Sequence, residues 1–240
     1  MEDIQIENID IPIQSDNIDL KGSIFYTSDV PDKAPFIINC PGLYDHRFSP
    51  FVQIFTEKFT KSGYYVLSYD YRAHGETKKQ TRGSWLKHIF KIFSDIHVVI
   101  DWILNNESDR LLEDKIALFG RSLGAAMILT QGYENKHAKK LIGLCARYSY
   151  AQIKNIEFPQ DVIEYISPKY YLKQDPANLN RILIAHCKDD PRIPFDHFRE
   201  IKAHLGFDNH NAIEYDTGGH SFKGNREELF QRVLDFLQTW

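Results

Sequence analysis

Lys115-Ile-Ala-Leu-Phe119 runs into Gly120-Arg121-Ser122-Leu123-Gly124 and on into Ala125-Ala-Met-Ile-Leu-Thr130. The first five residues have the apolar, β-branched character of a short buried strand, and the last six read as a helix start. A Gly-x-Ser-x-Gly between strand and helix demands a sharp turn in which the serine backbone is strained, at a cost of roughly 1–3 kcal/mol. Small residues two before and two after the serine, Gly120 and Gly124, let strand and helix approach. The hydroxyl is then lifted above the sheet edge, with the Leu123 N–H facing the same space, as a nucleophile and an oxyanion donor require.

The chain around it alternates strand-like and helix-like segments. Ile9–Ile13 and Leu20–Tyr26 flank the turn residues Ser15-Asp-Asn17 and read as a hairpin, with Pro12 marking an edge strand. Apolar runs at 35–40, 64–69, 115–119, 140–146, 181–186 and 212–216 read as further strands. Helical spacing appears at 49–61, from about 85 or 89 to 104, after the elbow to about 133, and at 194–205 and 225–237. This rhythm predicts an α/β fold, a mostly parallel sheet with helices on both faces, whose chemistry gathers at the carboxyl ends of the strands. The rhythm breaks at about 147–178. That segment is rich in tyrosine and carries three prolines, and it is expected to form a short lid on a single domain spanning 1–240.

Composition bounds the function classes. In 240 residues, 42% are hydrophobic, 26% are charged and the formal charge is −4, which gives no basic surface for nucleic acid. No apolar run reaches the roughly 18 residues of a membrane span. The start lacks the basic and apolar regions of a secretory signal. Three cysteines, Cys40, Cys145 and Cys187, make no disulfide framework, so a cytoplasmic location is expected. Oligomeric state is not written in the sequence.

A serine nucleophile needs a base, and the base needs a carboxylate. Among ten histidines, His220 stands out in Thr217-Gly-Gly-His-Ser221, directly after the last strand; His97, His137, His204 and His210 read as surface residues. Asp189 and Asp190 both follow the strand ending at His186, and composition does not choose between them. The order Ser, Asp, His distinguishes this arrangement from other serine-hydrolase folds. Leu43, just after the 35–40 strand, offers a second oxyanion N–H beside that of Leu123. Cys40 lacks an elbow and reads as a small buried residue. His186, Cys187 and Asp190 are metal-ligand types, but their spacing matches no closed zinc site.

Five blocks carry a family resemblance: Pro41-Gly-Leu-Tyr-Asp-His-Arg47, Asp70-Tyr-Arg-Ala-His-Gly75, Gly120–Gly124, His186-x-x-x-Asp190-x-x-Ile-Pro194 and Gly218-Gly-His220. Over almost its full length the chain resembles the α/β-hydrolase superfamily, and within it the monoacylglycerol lipase-like, serine aminopeptidase-like and feruloyl esterase-like branch. The resemblance implies Ser122, Asp190 and His220 as the triad, selecting Asp190 by its spacing from His186. It implies a structural role for Asp70, Arg72 and His74. Pro41 stands where the family has histidine, so this oxyanion loop departs from the pattern. The expectation is a serine hydrolase that cleaves a small-molecule carboxylic ester, lipase- or esterase-like, with no cofactor and no metal. Tyr44, Arg147 and Tyr148 are candidate substrate contacts, although a solvent-facing or ion-paired arginine is the simpler reading of Arg147. The alternatives are a peptidase, amidase or acyltransferase on the same triad, or a non-catalytic binding protein of the same fold.

Overall fold

Ala34–Cys40, the uninterrupted apolar run before Pro41, forms strand β3, buried along almost its whole length as expected of a strand covered on both faces. The structure, a computed structural model, describes residues 3–153 and 156–240. Met1, Glu2 and, within the expected lid, Lys154 and Asn155 lie outside the described residues. The chain divides into two compact units, residues 1–118 and 119–240.

In the first unit, β1 (Ile4–Ile13) and β2 (Ile18–Thr27) form an antiparallel hairpin paired from Ile4–Thr27 to Ile13–Ile18. Asn17, in the left-handed region at φ 52°, helps close the turn. β1 runs well beyond its apolar core, because polar residues such as Gln5, Asn8 and Asp10 face out along it. β2 pairs antiparallel with β4 (Tyr65–Tyr69), and β4 pairs parallel with β3, giving the order β1-β2-β4-β3 with the Pro12 strand at the edge. α1 (Pro50–Lys61) starts with its proline in the first turn and buries Phe51, Phe55 and Phe59 at helical spacing. The Asn39 amide donates to Val52 O and Thr56 Oγ1 at 3.0 and 2.9 Å, fastening β3 to that helix. α2 (Ile89–Asn106) follows a short 3₁₀ turn and buries Ile92, Phe93, Ile96, Val99 and Ile103 along one face.

The Asp70–Gly75 block ties loops together within this unit. Asp70 accepts the Arg47 and Glu76 N–H groups at 2.9 and 2.8 Å and pairs with the Arg47 guanidinium. Arg72 makes a two-pronged contact with Asp95 at 2.7 and 2.9 Å. Burial pushes the Asp95 carboxyl above its ordinary range, partly opposed by Arg72. His74 is buried against the Arg72 carbonyl at 2.8 Å.

β5 (Leu111–Arg121) runs from the first unit into the second. It extends beyond the apolar 115–119 core, and Glu113 and Asp114 within it hold left-handed φ values of 47° and 57°, a kink that interrupts the apolar pattern near the strand's start. In the second unit β6 (Ala138–Leu144), β7 (Ile182–Cys187) and β8 (Ala212–Tyr215) are parallel neighbours in that order. α3 (Leu123–Met127) is one short stretch that passes into a π-helical turn over Ile128–Gly132, where the sequence reads a single regular helix. α4 (Gln160–Ile166) and α5 (Asn178–Arg181) lie between β6 and β7, α6 (Asp196–Leu205) after β7 and α7 (Arg226–Leu237) at the end. Pro194 therefore precedes α6 rather than opening its first turn. No helix among the described residues is long and apolar enough to cross a membrane.

Gly75 has φ +46°, and a Cβ there would lie 2.2 Å from the Asp70 carboxylate. Gly75→Ala is expected to cost about 2–4 kcal/mol, the sum of overpacking and left-handed strain. The measurement is the urea midpoint at unchanged m-value; an unmoved midpoint would contradict the role given to Asp70.

Candidate active site

Ser122 joins β5 to α3 with φ 59° and ψ −115°, outside the regions open to ordinary side chains. Two backbone bonds hold it there: its N–H donates to Leu144 O of β6 at 2.8 Å, and its carbonyl accepts Ala126 N–H at 3.0 Å. Leu123 is the first residue of α3, so its N–H has no intrahelical acceptor and stands at the positive end of the turn. Gly120 and Gly124 are buried and Ser122 is half-buried.

The candidate acid and base meet past the ends of β7 and β8. The His220 Nδ1–H donates to Asp190 Oδ2 at 2.7 Å. The Asp190 carboxylate is fully covered, and its other oxygen accepts the N–H groups of Arg192 and Ile193 at 2.8 and 3.1 Å. His186 Nε2 lies 3.5 Å from Oδ2 while bonding Ile193 O at 3.0 Å. Burial alone would raise this acid's pKa. The hydrogen bonds from His186 and His220, with the Arg192 N–H, outweigh that and hold it well below the usual carboxylate range.

Asp189, one residue earlier, points the other way. Its two oxygens accept the N–H groups of Gly218 and Gly219 at 3.1 and 2.7 Å. Those glycines have φ values of +130° and +59°, conformations that carry the chain from β8 round to His220. One carboxylate thus faces the imidazole and its neighbour pins the turn that presents it. Arg121, beside the serine, donates through Nη1 to His220 O and Ser221 Oγ, both at 3.4 Å, tying the base's turn to the elbow strand.

The remaining candidates separate. Tyr148 OH bonds His204 Nδ1 at 2.8 Å, and Arg147 Nη1 bonds His197 Nε2 at 3.1 Å. His204 is therefore not a bare surface histidine: it is half-buried and holds Tyr148. His210 is exposed, while His97 and His137 are half-buried. Leu43 and Tyr44 belong to the first unit, just past β3. Gly42 O accepts Asp45 N–H at 3.1 Å to form a turn around Leu43, and Tyr44, 76% exposed at φ 66°, accepts the Trp85 indole N–H at 3.2 Å. Pattern reading missed Arg121, the Asp189 clamp and Cys145. Of these, only the doubled aspartate left a visible trace in the sequence.

Cys145 ends the β6 connection at φ 48°, and its Sγ, an Asp190 oxygen and a His220 ring nitrogen lie within 4.8 Å of one another. Burial, reinforced by the facing Asp190, pushes this thiol far above its ordinary pKa. A protonated thiol and a carboxylate already bonded to its histidine form a poor ligand set for a metal. All three cysteines are buried and unpaired.

Residues 33–193 match the family described as serine aminopeptidase, S33, and the chain belongs to that family of α/β-hydrolases. It is also similar, at 28% identity over 130 residues, to an uncharacterized 31.7 kDa protein in the traX-finO intergenic region of Escherichia coli. The match covers 53% of this chain and 43% of that protein, so the chain spans less than half the length of this curated relative. Among solved structures, Est1E from Butyrivibrio proteoclasticus with ferulic acid bound superposes with a TM-score of 0.73 at 18% identity, covering 96% of this chain and 98% of that one. The Pyrococcus furiosus esterase Pf2001 gives 0.72 at 19% identity, covering 99% and 91%. A structure from an analysis of two prolyl endopeptidases gives 0.72 at 13% identity, covering 98% and 38%. These likenesses establish the α/β-hydrolase fold.

The geometry makes a prediction that needs no substrate. Proton NMR should show one strongly deshielded imidazole proton from His220 Nδ1–H, absent in Asp190→Ala and retained in Asp189→Ala. Loss in the second variant alone would exchange the roles of the two acids.

Proposed function

We propose that the chain is a serine hydrolase cleaving carboxylic esters through an acyl-enzyme on Ser122. The observation that carries this is the 2.7 Å bond from His220 Nδ1 to the buried Asp190, which commits one ring nitrogen and leaves Nε2 as the proton acceptor. Ser122 Oγ attacks the ester carbonyl as His220 takes its proton. The tetrahedral oxyanion is received by the Leu123 N–H. Collapse expels the alkoxide, which takes the proton from His220. Water, deprotonated in turn by His220, attacks the acyl-Ser122 ester, and as the second tetrahedral intermediate collapses His220 returns the proton to Ser122 Oγ and the carboxylic acid leaves. Asp190 keeps the ring in the right tautomer and stabilises the imidazolium. The 147–178 segment is read as the cover of the substrate, and the unpaired cysteines suit a cytoplasmic setting.

Likeness to esterases supports the ester reading. The description of the matched family and the prolyl endopeptidase likeness favour a second one, amide cleavage on the same residues. Parallel assays on p-nitrophenyl acetate and aminoacyl p-nitroanilides separate them; faster turnover of the anilides reverses the preference. Ser122→Ala is expected to lower kcat by about 10⁴–10⁶ and to abolish fluorophosphonate labelling. Retained turnover ends the proposal. Asp190→Asn should lose about 10⁴ in kcat, by analogy with other triads, whereas Asp189→Asn should stay within about tenfold of wild type because one amide oxygen still accepts a glycine N–H. Equal losses would mean that the Gly218-Gly219 clamp matters as much as the acid.

A further inference from the structure

Past the carboxyl ends of β6 and β7, within the second unit, lies a cavity of about 720 Å³. Its wall includes Arg147 and Tyr148 after β6, Lys169, the Asp190–Arg192 turn, and His197 and Glu200 of α6. Three cations, Arg147, Lys169 and Arg192, therefore share one space, and among the described residues none is ion-paired with a carboxylate. Arg147 is the half-buried one. It donates to His197 Nε2 at 3.1 Å and, at 3.5 Å, to the Arg192 carbonyl, both neutral acceptors. Because a guanidinium only donates, His197 accepts at Nε2 and carries its proton on Nδ1, which faces Glu200 at 3.4 Å. Burial, then the charge of Arg147, brings the His197 pKa down to about 4, so the ring is neutral at pH 7. Glu200 is exposed, and the Asp190 carboxylate is sealed and already saturated with donors. The wall thus sets three cations against the two carboxylates of Asp190 and Glu200, a formal excess of one positive charge in a chain whose formal charge is −4.

We infer that this cavity recognises a carboxylate carried by the substrate, so that the preferred ester is an anionic one. The inference rests on the hydrolase reading for the word "substrate", but the carboxylate site itself stands on the cavity. A guanidinium fork held at one edge by His197 keeps its remaining N–H groups for a planar two-oxygen anion, with Lys169 and Arg192 adding charge. The place is pertinent to catalysis. Arg147 lies two residues past Cys145, whose Sγ is within 4.8 Å of the acid and base atoms, and the Asp190–Arg192 turn is both cavity wall and support of the acid.

The test compares two p-nitrophenyl esters of matched chain length, neutral p-nitrophenyl valerate and the monoester of glutaric acid with its free terminal carboxylate. The readout is the ratio of their kcat/KM values. Wild type should favour the anionic ester by about 10–100-fold, the range of one charge-assisted contact, with the preference shrinking as salt rises. Arg147→Met should bring the ratio close to one, Arg147→Lys should retain part of it, and Lys169→Gln and Arg192→Gln should each lower it several-fold. The last two residues are exposed and keep the test alive if Arg147→Met misfolds. A wild-type ratio at or below one, or a ratio unmoved by these substitutions, overturns the inference. Calorimetric titration of Ser122→Ala with glutarate, against Ser122→Ala/Arg147→Met, reads the site without turnover. Binding lost on removing Arg147, with neither ester hydrolysed by wild type, would sink the hydrolase reading and keep the carboxylate site. Equal hydrolysis of both esters without glutarate binding would do the reverse.

Discussion

A carboxylate sealed from water is unstable as an anion unless donors replace its lost hydration. Asp190 satisfies that condition with the N–H groups of Arg192 and Ile193 on one oxygen and His220 on the other, His186 standing close by. The turn after β7 is in effect folded around its own acid. His186 bonds the carbonyl of Ile193, the residue whose N–H bonds the acid, so the strand end and the turn close on each other. The orientation of the His220 ring depends on this one ionised group, while Asp189 and Arg121 hold the turn that carries it. Removing it would leave the imidazole with neither a fixed tautomer nor a counter-charge.

Two adjacent aspartates divide the work because successive residues in a tight turn point apart. Asp189 stays exposed and accepts from the Gly218-Gly219 backbone, whereas Asp190 is buried and accepts from the His220 ring. This division was only half legible in the sequence. That one of the two would serve as the acid could be read from their place after a strand, but nothing in their chemistry said which. The family spacing pointed to Asp190, and the clamp by Asp189 emerges only in three dimensions. The strands were legible wherever an apolar run is buried on both faces, as at β3, β6 and β7. They were underestimated where polar alternation or a left-handed kink interrupts the run, as in β1 and β5. The π-turn after α3 leaves no local pattern, and the pairing of His204 with Tyr148 joins segments distant in sequence.

The elbow depends on this same framework. A non-glycine residue at φ 59° and ψ −115° persists only where its surroundings over-determine it. Here a ladder bond to β6, the first bond of α3 and the Arg121 contacts with the His220 turn all oppose relaxation. Arg121 links the strand end before Ser122 to the turn that carries His220, so strain at Ser122 and the placement of His220 are parts of one constraint. That linkage explains why an arginine is tolerated, buried, inside the motif.

The electrostatics of the second unit then have a direction. In the proposed reaction, proton transfer from Ser122 to His220 would create a positive imidazolium, which Asp190 would favour and which the cations of the neighbouring cavity would oppose. Their opposition weakens with distance and solvent, yet Arg147 is half-buried and less screened than a surface charge. A carboxylate seated against Arg147 would neutralise part of that field as the base must take up its proton. An anionic substrate would in this way gain twice, once in binding and once in the ease of forming the imidazolium. The second gain belongs to the transition state, where binding energy raises kcat and not merely affinity. On the proposed reading, a dry negative charge behind the histidine and the cations beside its turn would therefore be complementary, the first fixed by the fold and the second answered by an anionic substrate.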